Sequence, residues 1–276
     1  MSRFASRKVL LASGVLTVLA GAAFTAAAQP AASIPDFSSN QAAWQTPNGT
    51  GFIEVPGSAA PLRQDPAHPF VGNGQGKQPT YRIADLSHPN LKQWVKDAMK
   101  KDNDEVLAGK IAFTARQSCM PAGVPNYMLF GGPFYFVQSP KEVLILFEGD
   151  AQVRRIYLDV PHSAKPKPSW YGESVGHYEG DTLVVDTIGL NNKTVVDNYR
   201  TPHTDKLHVT ERWKMVNDGK TLEVAMTIED PDTYNQPWQA IRRYGRVKGT
   251  MAEEICAENN QHLFDYGIPQ ANKPDF

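Results

Sequence analysis

The sequence predicts a mainly β protein: one antiparallel barrel or sandwich, braced by a single main helix and preceded by an extended N-terminal arm. Three observations predict it. Short runs rich in β-branched and aromatic residues succeed one another from Phe134 to Val247, with Gly, Asn, Asp and Pro turn signals between them. Only one stretch, beginning at Leu91, carries a clear helical period. No phosphate loop or dinucleotide fingerprint occurs anywhere in the chain.

The chain opens on a targeting signature. Arg3, Arg7 and Lys8 are basic, Val9 to Thr25 is apolar and uncharged, and Ala26-Ala27-Ala28 offers a small-residue cleavage site. Residues 1–28 are expected to be a signal peptide, which predicts a periplasmic or secreted protein with no membrane anchor after cleavage. Cleavage would remove three of the 28 basic residues and none of the 29 acidic ones. That leaves 25 against 29, a net charge of −4 with His neutral. Such a chain is not built to grip nucleic acid or anionic lipid. There are two cysteines, Cys119 and Cys256. In an oxidising compartment they are expected to pair; otherwise they are two buried thiols.

Residues 29–80 are rich in Ala, Pro, Ser, Asn, Gln and Gly and have no sustained apolar period, which predicts an extended arm. Within it, Phe52, Ile53 and Val55 suit one short strand. The barrel domain is expected over 81–276. Its helix has Ser87 or Asn90 as cap, an apolar face of Leu91, Trp94, Val95, Ala98 and Met99, and a stop at Gly109. Residues 111–133, with Cys119, Pro121, Gly123 and Pro125, read as a long ordered loop of the kind that often carries function.

Strands are expected at Phe134 to Gln138, Glu142 to Glu148 (central, because apolar on both faces), Val153 to Leu158, and the two arms of a hairpin turning at Glu179-Gly180-Asp181. Leu207 to Val216 and Thr221 to Glu229 flank the turn Asn217-Asp218-Gly219-Lys220, and Ala240 to Val247 comes last.

Strand alternation then assigns faces. Glu211 shares a face with Leu207, Val209, Trp213 and Met215, so it points inward and needs a partner. One of Arg154 and Arg155 must also point inward, because adjacent strand residues face opposite ways. His177 shares a face with Val175 and is expected inside as well. The resulting Arg–Glu–His cluster is either a polar site or a structural ion network. As a site, His177 is the proton-transfer residue, Glu211 its partner, and Arg155 or Arg154 holds an anionic group. Trp170, Tyr171, Tyr178 and Trp213 suit the wall of a cavity for a ring-bearing ligand. No cofactor is expected. His203 and His208 are a weak alternative metal pair, since His208 and Glu211, three apart on a strand, face opposite sides. Gly172-Glu173-Ser174-Val175-Gly176 has the outline of a nucleophile elbow but lies in a hairpin, where that motif does not function.

The stretch from Tyr171 to Thr187, YGESVGHYEGDTLVVDT, resembles the core motif of a large family of exported bacterial proteins of unassigned function. Further pieces match in order: Cys119-Met120-Pro121 with Gly123 and Pro125; Gln152 to Tyr157; Pro202-His203; Leu207 to Arg212; Glu229-Asp230-Pro231; and Cys256 with Glu258-Asn259. The resemblance covers residues 110–262 and implies an exported protein with a lipocalin-like or calycin-like barrel. It implies no particular activity. The leading expectation is thus an exported enzyme that acts on a small molecule by acid–base chemistry in a barrel cavity. The alternatives are a periplasmic small-molecule-binding barrel without catalysis and an envelope interaction protein that binds its partner through the arm.

Overall fold

The computed structural model describes residues 34–38, 42–46, 51–70, 82–110, 115–248 and 252–259. The expected signal peptide and part of the expected arm lie outside the described residues. The rest is mainly β. Ten strands form one sheet: β1 (Ala42–Gln45), β2 (Ile53–Glu54), β3 (Phe134–Gln138), β4 (Glu142–Phe147), β5 (Val153–Leu158), β6 (Glu173–Glu179), β7 (Thr182–Ile188), β8 (His208–Val216), β9 (Thr221–Glu229) and β10 (Trp238–Lys248). From β3 to β10 each strand pairs with the next, and β1 closes the ring by pairing with both β10 and β3. The short β2 pairs with the first half of β10, leaving the second half to β1.

One pairing departs from the expected antiparallel pattern. β5 and β6 run parallel. The reason lies in residues 159–172, where Pro161, Pro166 and Pro168 cannot donate ladder hydrogen bonds. Asp159 turns the chain out of the sheet in a left-handed conformation (φ 56°), and the segment returns to the far end before β6 begins. Because of this return, β3, β5, β6, β8 and β10 all start at one end of the barrel. The long connections 189–207 and 230–237 and the approach to β3 are therefore gathered at that end.

The main helix, α1 (Gln93–Leu107), braces the same end. Lys92 N–H bonds Thr233 C=O at 3.0 Å, and Leu91 bridges to Tyr234 in the β9–β10 connection. Val95, Met99, Asn103 and Val106 form its buried face. Trp94, expected in that face, is 43% exposed, because its indole N–H reaches Asp232 C=O at 2.6 Å on the helix flank. Neither Ser87 nor Asn90 caps the helix; Lys92 holds the cap position without a side-chain bond. Asn90 instead bonds both ways with Gln236, fastening the approach to α1 onto the β9–β10 connection.

The lumen is filled. A tight turn at Asn126–Leu129 enters the barrel end as a plug: Met128 C=O accepts from Arg242 Nε (3.1 Å) and from Tyr244 Oη (3.0 Å). Trp213 and Tyr244 stack with centroids 6.1 Å apart, and Phe134 meets both edge-on. Burying such rings is the main stabilising term of a core of this kind. A disulfide joins Cys119 to Cys256, 137 residues apart in sequence, and secures the segment that precedes the plug.

Candidate functional site

Three groups of polar side chains compete for a functional role: one in the lumen, one on the outer wall and one at the braced end.

The lumen group contains two of the expected residues. Arg154 and Glu211 both point inward and are fully buried. Arg154 Nη2 donates to Glu211 Oε1 and Nη1 to Oε2, each at 2.9 Å. Arg154 also donates to Ser174 Oγ, Thr187 Oγ1 and Tyr127 Oη, while Trp213 Nε1 donates to Glu211 Oε2 at 2.8 Å. Burial alone would lower the Arg154 pKa, but Glu211 and Tyr127 more than offset it, and the guanidinium stays charged. Burial lifts the Tyr127 hydroxyl well above its ordinary range. Every strong donor here meets an acceptor and the aromatics close round them, so no cavity opens on the pair. The network is a satisfied structural ion pair.

His177 does not join it. The cross-strand rows run Gly176–Val185–Glu211 and His177–Val184–Arg212, which places His177 and Glu211 on opposite faces of the sheet. His177 is exposed and pairs with Glu179 at 3.1 Å. The sequence misled here through Val175, whose apolar side chain lies on the outer wall with His177. The inner positions of β6 are Ser174, Gly176 and Tyr178. Gly176 leaves no room for a side chain, since an added Cβ would lie 2.8 Å from Val184 C=O.

Arg155 faces outward as well and pairs with Glu142 at 3.0 Å. The expected dyad of His177 and Glu211 with Arg155 as anion holder therefore does not assemble. The aromatics are also dispersed. Trp213 is buried in the core, Tyr171 lies edge-on to Tyr127 with its hydroxyl on Gln152, Tyr178 accepts from Gln138 Nε2 at 2.8 Å, and Trp170 sits half-buried before β6. The Ser174 of the elbow outline bonds Arg154 and Thr187 inside the barrel.

The outer-wall group is a chain of alternating acids and histidines. His162 lies between Glu173 (3.0 Å) and Asp186 (2.7 Å), and His208 between Asp186 (2.7 Å) and Glu229 (3.1 Å). The hydrogen bond to Asp186 raises the His208 pKa, and the same bond holds Asp186 below the usual carboxylate range. His203 is elsewhere, buried between Thr194 and Thr204, so the suggested pair of His203 and His208 does not converge. Among the described residues, no group of three or more His, Cys, Asp or Glu is arranged to hold a metal.

The third group lines a cleft of about 510 Å³ at the braced end. This falls within the roughly 300–1,000 Å³ of small-molecule pockets. Three segments build it: α1 (Ala98, Lys101, Asp102), the stretch before β3 (Ala115, Arg116, Ala122, Asn126, Phe130) and the β7–β8 connection (Asn192 to Val195, Asp197, Asn198, Arg200 and Pro202). Four cationic side chains, Lys101, Arg116, Lys193 and Arg200, face it against two carboxylates, Asp102 and Asp197.

Each wall is fixed by its own contacts. Arg116 lies over the Phe130 ring, 3.6 Å from its centroid. Buried Arg200, itself left-handed (φ 63°), donates to Arg82 C=O and Asn103 Oδ1, both at 3.3 Å, tying the connection to α1. Asp197 is buried and accepts from Tyr199 N–H (2.8 Å), Thr201 N–H (3.3 Å) and Thr201 Oγ1 (2.8 Å); burial raises its pKa despite these bonds. Gly123 is left-handed (φ 73°), and a Cβ there would meet Thr194 Cγ2 at 2.6 Å, so only glycine lets the two segments close on each other.

The expected functional loop, residues 111–133, supplies one wall from Ala115 to Phe130, its first four residues lying outside the described ones, whereas Asn192 to Arg200 is not among the expected site segments. Its signal was the length of the β7–β8 connection, residues 189–207, in a chain whose other strand connections are mostly short. Comparison of the chain with family models, with curated proteins and with solved structures found no match.

Proposed function

We propose that this is an exported small-molecule-binding protein whose site is the cleft at the braced end, and that it takes anionic organic molecules. The lumen offers no space, and the outer-wall histidines have committed both ring nitrogens to carboxylates. The cleft combines a volume of about 510 Å³ with four cationic side chains against two carboxylates, and that excess carries the reading. Export is supported by the N-terminal targeting signature, the family resemblance and the disulfide, which suits an oxidising compartment. The acid–base chemistry expected of the lumen has no geometry there, because His177 and Glu211 face opposite sides of the wall.

The test is calorimetric titration of the mature, oxidised protein with a panel of aliphatic and aromatic dicarboxylates. At least one should bind, and more weakly as salt is added. Lys193→Glu on the cleft rim should weaken binding about 5- to 50-fold, the scale of one reversed charge at a partly exposed site. Lack of binding across the panel, or binding unmoved by Lys193→Glu and by salt, sinks the proposal.

A further inference from the structure

One pair in the cleft wall has a geometry that binding alone does not need. Thr194 lines the cleft, and its Oγ1 lies 2.7 Å from His203 Nε2. His203 Nδ1 lies 2.8 Å from Thr204 C=O. A carbonyl oxygen can only accept, so Nδ1 carries the proton. Burial lowers the His203 pKa and keeps the ring neutral, leaving Nε2 as a bare acceptor. The Thr194 hydroxyl therefore donates to a free imidazole lone pair, the arrangement of a nucleophile with its general base.

A third group sits behind the base. Asp230 is buried, and its carboxylate accepts from Thr204 N–H (2.7 Å) and Thr204 Oγ1 (2.9 Å) on the residue whose carbonyl orients His203. Thr233 Oγ1 and two further backbone N–H groups hold the same carboxylate in place. Its charge favours the imidazolium that would form when His203 takes a proton. The order is nucleophile, base, carboxylate, with the carboxylate holding Thr204 in place by its N–H and hydroxyl and not touching the ring.

We propose that Thr194 and His203 are catalytic residues, and that the protein hydrolyses esters of small carboxylate-bearing molecules held in this cleft. The inference rests on the anion-binding reading above. Thr194 Oγ1 attacks the ester carbonyl carbon while its proton passes to His203 Nε2. Lys193, Arg116 and Asn126, which line the same cleft, supply positive charge and donors for the oxyanion. Collapse of the tetrahedral intermediate breaks the bond to the leaving alkoxide, which takes the proton from Nε2. Water then gives a proton to Nε2 and attacks the acyl-threonine; collapse frees Thr194 Oγ1, which recovers the proton. Ester and water become acid and alcohol, with no other reactant.

The experiment uses the mature, oxidised protein with the mono-4-nitrophenyl ester of glutaric acid, and glutarate itself as an unreactive binding probe. Release of nitrophenolate should exceed the buffer rate. Thr194→Val should lose at least 100-fold of the enzymatic rate, His203→Gln a similar factor, and Thr194→Ser should retain activity because it keeps the hydroxyl. Intact-mass and peptide analysis of quenched wild-type protein should find the glutaryl group on Thr194. That readout stands even if Thr194→Val fails to fold, since a purely structural Thr194–His203 bond forms no adduct. If wild-type hydrolysis matches buffer, or the acyl group is absent from Thr194, while glutarate still binds, the catalytic proposal is overturned and the binding reading survives. If neither glutarate nor its ester binds, the catalytic proposal is overturned, and if no other dicarboxylate of the panel binds either, the binding reading falls with it.

Discussion

Replacing Arg154 by Met tests whether the lumen is structure or site. The arginine side chain is wholly buried and donates to Glu211, Tyr127, Ser174 and Thr187. Ser174 and Thr187 also bond each other at 2.9 Å, so they keep a partner when Arg154 goes. Tyr127 and Glu211 do not fare as well. Glu211 retains only the Trp213 indole, and its carboxylate is stranded in a closed aromatic core. Stranding one member of a buried ion pair costs about 3–5 kcal/mol. In a domain of this size that corresponds to a fall of roughly 6–20 °C in Tm. Adding Glu211→Gln removes the stranded charge yet leaves an acceptor for the indole. The double variant should therefore be more stable than Arg154→Met by at least about 1.5 kcal/mol, a coupling typical of groups in one network. Urea unfolding of both single variants and the double, at neutral pH with the disulfide intact, measures the cycle. Dicarboxylate affinity should be unchanged in every variant that remains folded. A loss below about 1 kcal/mol in Arg154→Met, or lost affinity with stability intact, would refute the structural assignment and return the site to the lumen.

Two other perturbations bear on the remaining groups. Gly123→Ala should destabilise by about 2–4 kcal/mol, from left-handed strain and displacement of Thr194 together, and should weaken dicarboxylate binding; a change under about 0.5 kcal/mol in urea melts would show that the two segments do not depend on their close approach. On the outer wall, the folded pKa of His208 is raised, so its pairing stabilises fully below the unfolded value of 6.5 and is lost as pH rises through the folded one. Asp186 and Glu173 are lowered, so their contributions are present above their unfolded values of 3.8 and 4.5 and fade as pH falls through the folded ones. His208→Gln should then cost under about 1 kcal/mol at pH 5.5, given its partial exposure, and less at pH 8; an equal or larger cost at pH 8 contradicts that pairing.

Much of the fold was legible because periodicity and turn chemistry are local. The strand bounds of β3, β5 and β9, and the inward turn of Glu211, follow from alternation and from turns such as Asn217-Asp218-Gly219-Lys220. Alternation also sorted Arg154 and Arg155 onto opposite faces, but it could not say which was inside. It misplaces His177, because Val175 is apolar yet lies half-buried on the outer wall beside it. The parallel β5–β6 pair depended on a proline-rich return whose path no local rule fixes. The cleft was harder to foresee. Its walls come from α1, the stretch before β3 and the β7–β8 connection, far apart in sequence and joined only by long-range contacts such as Arg200 to Asn103. His203 was noticed as a metal ligand candidate, but its value as a base depends on Thr194 and Thr204 holding its two nitrogens, which spacing does not reveal.

The most direct measurement is amide chemical-shift mapping of the isotope-labelled mature protein during titration with the dicarboxylate panel. Location of the site in the end cleft predicts shifts concentrated at 98–102, 115–130 and 192–202, with the inward positions of β5 to β8 undisturbed. Shifts centred on Arg154, Ser174 and Glu211 or on the His162–Asp186–His208 wall, or no shifts with any compound, would contradict it.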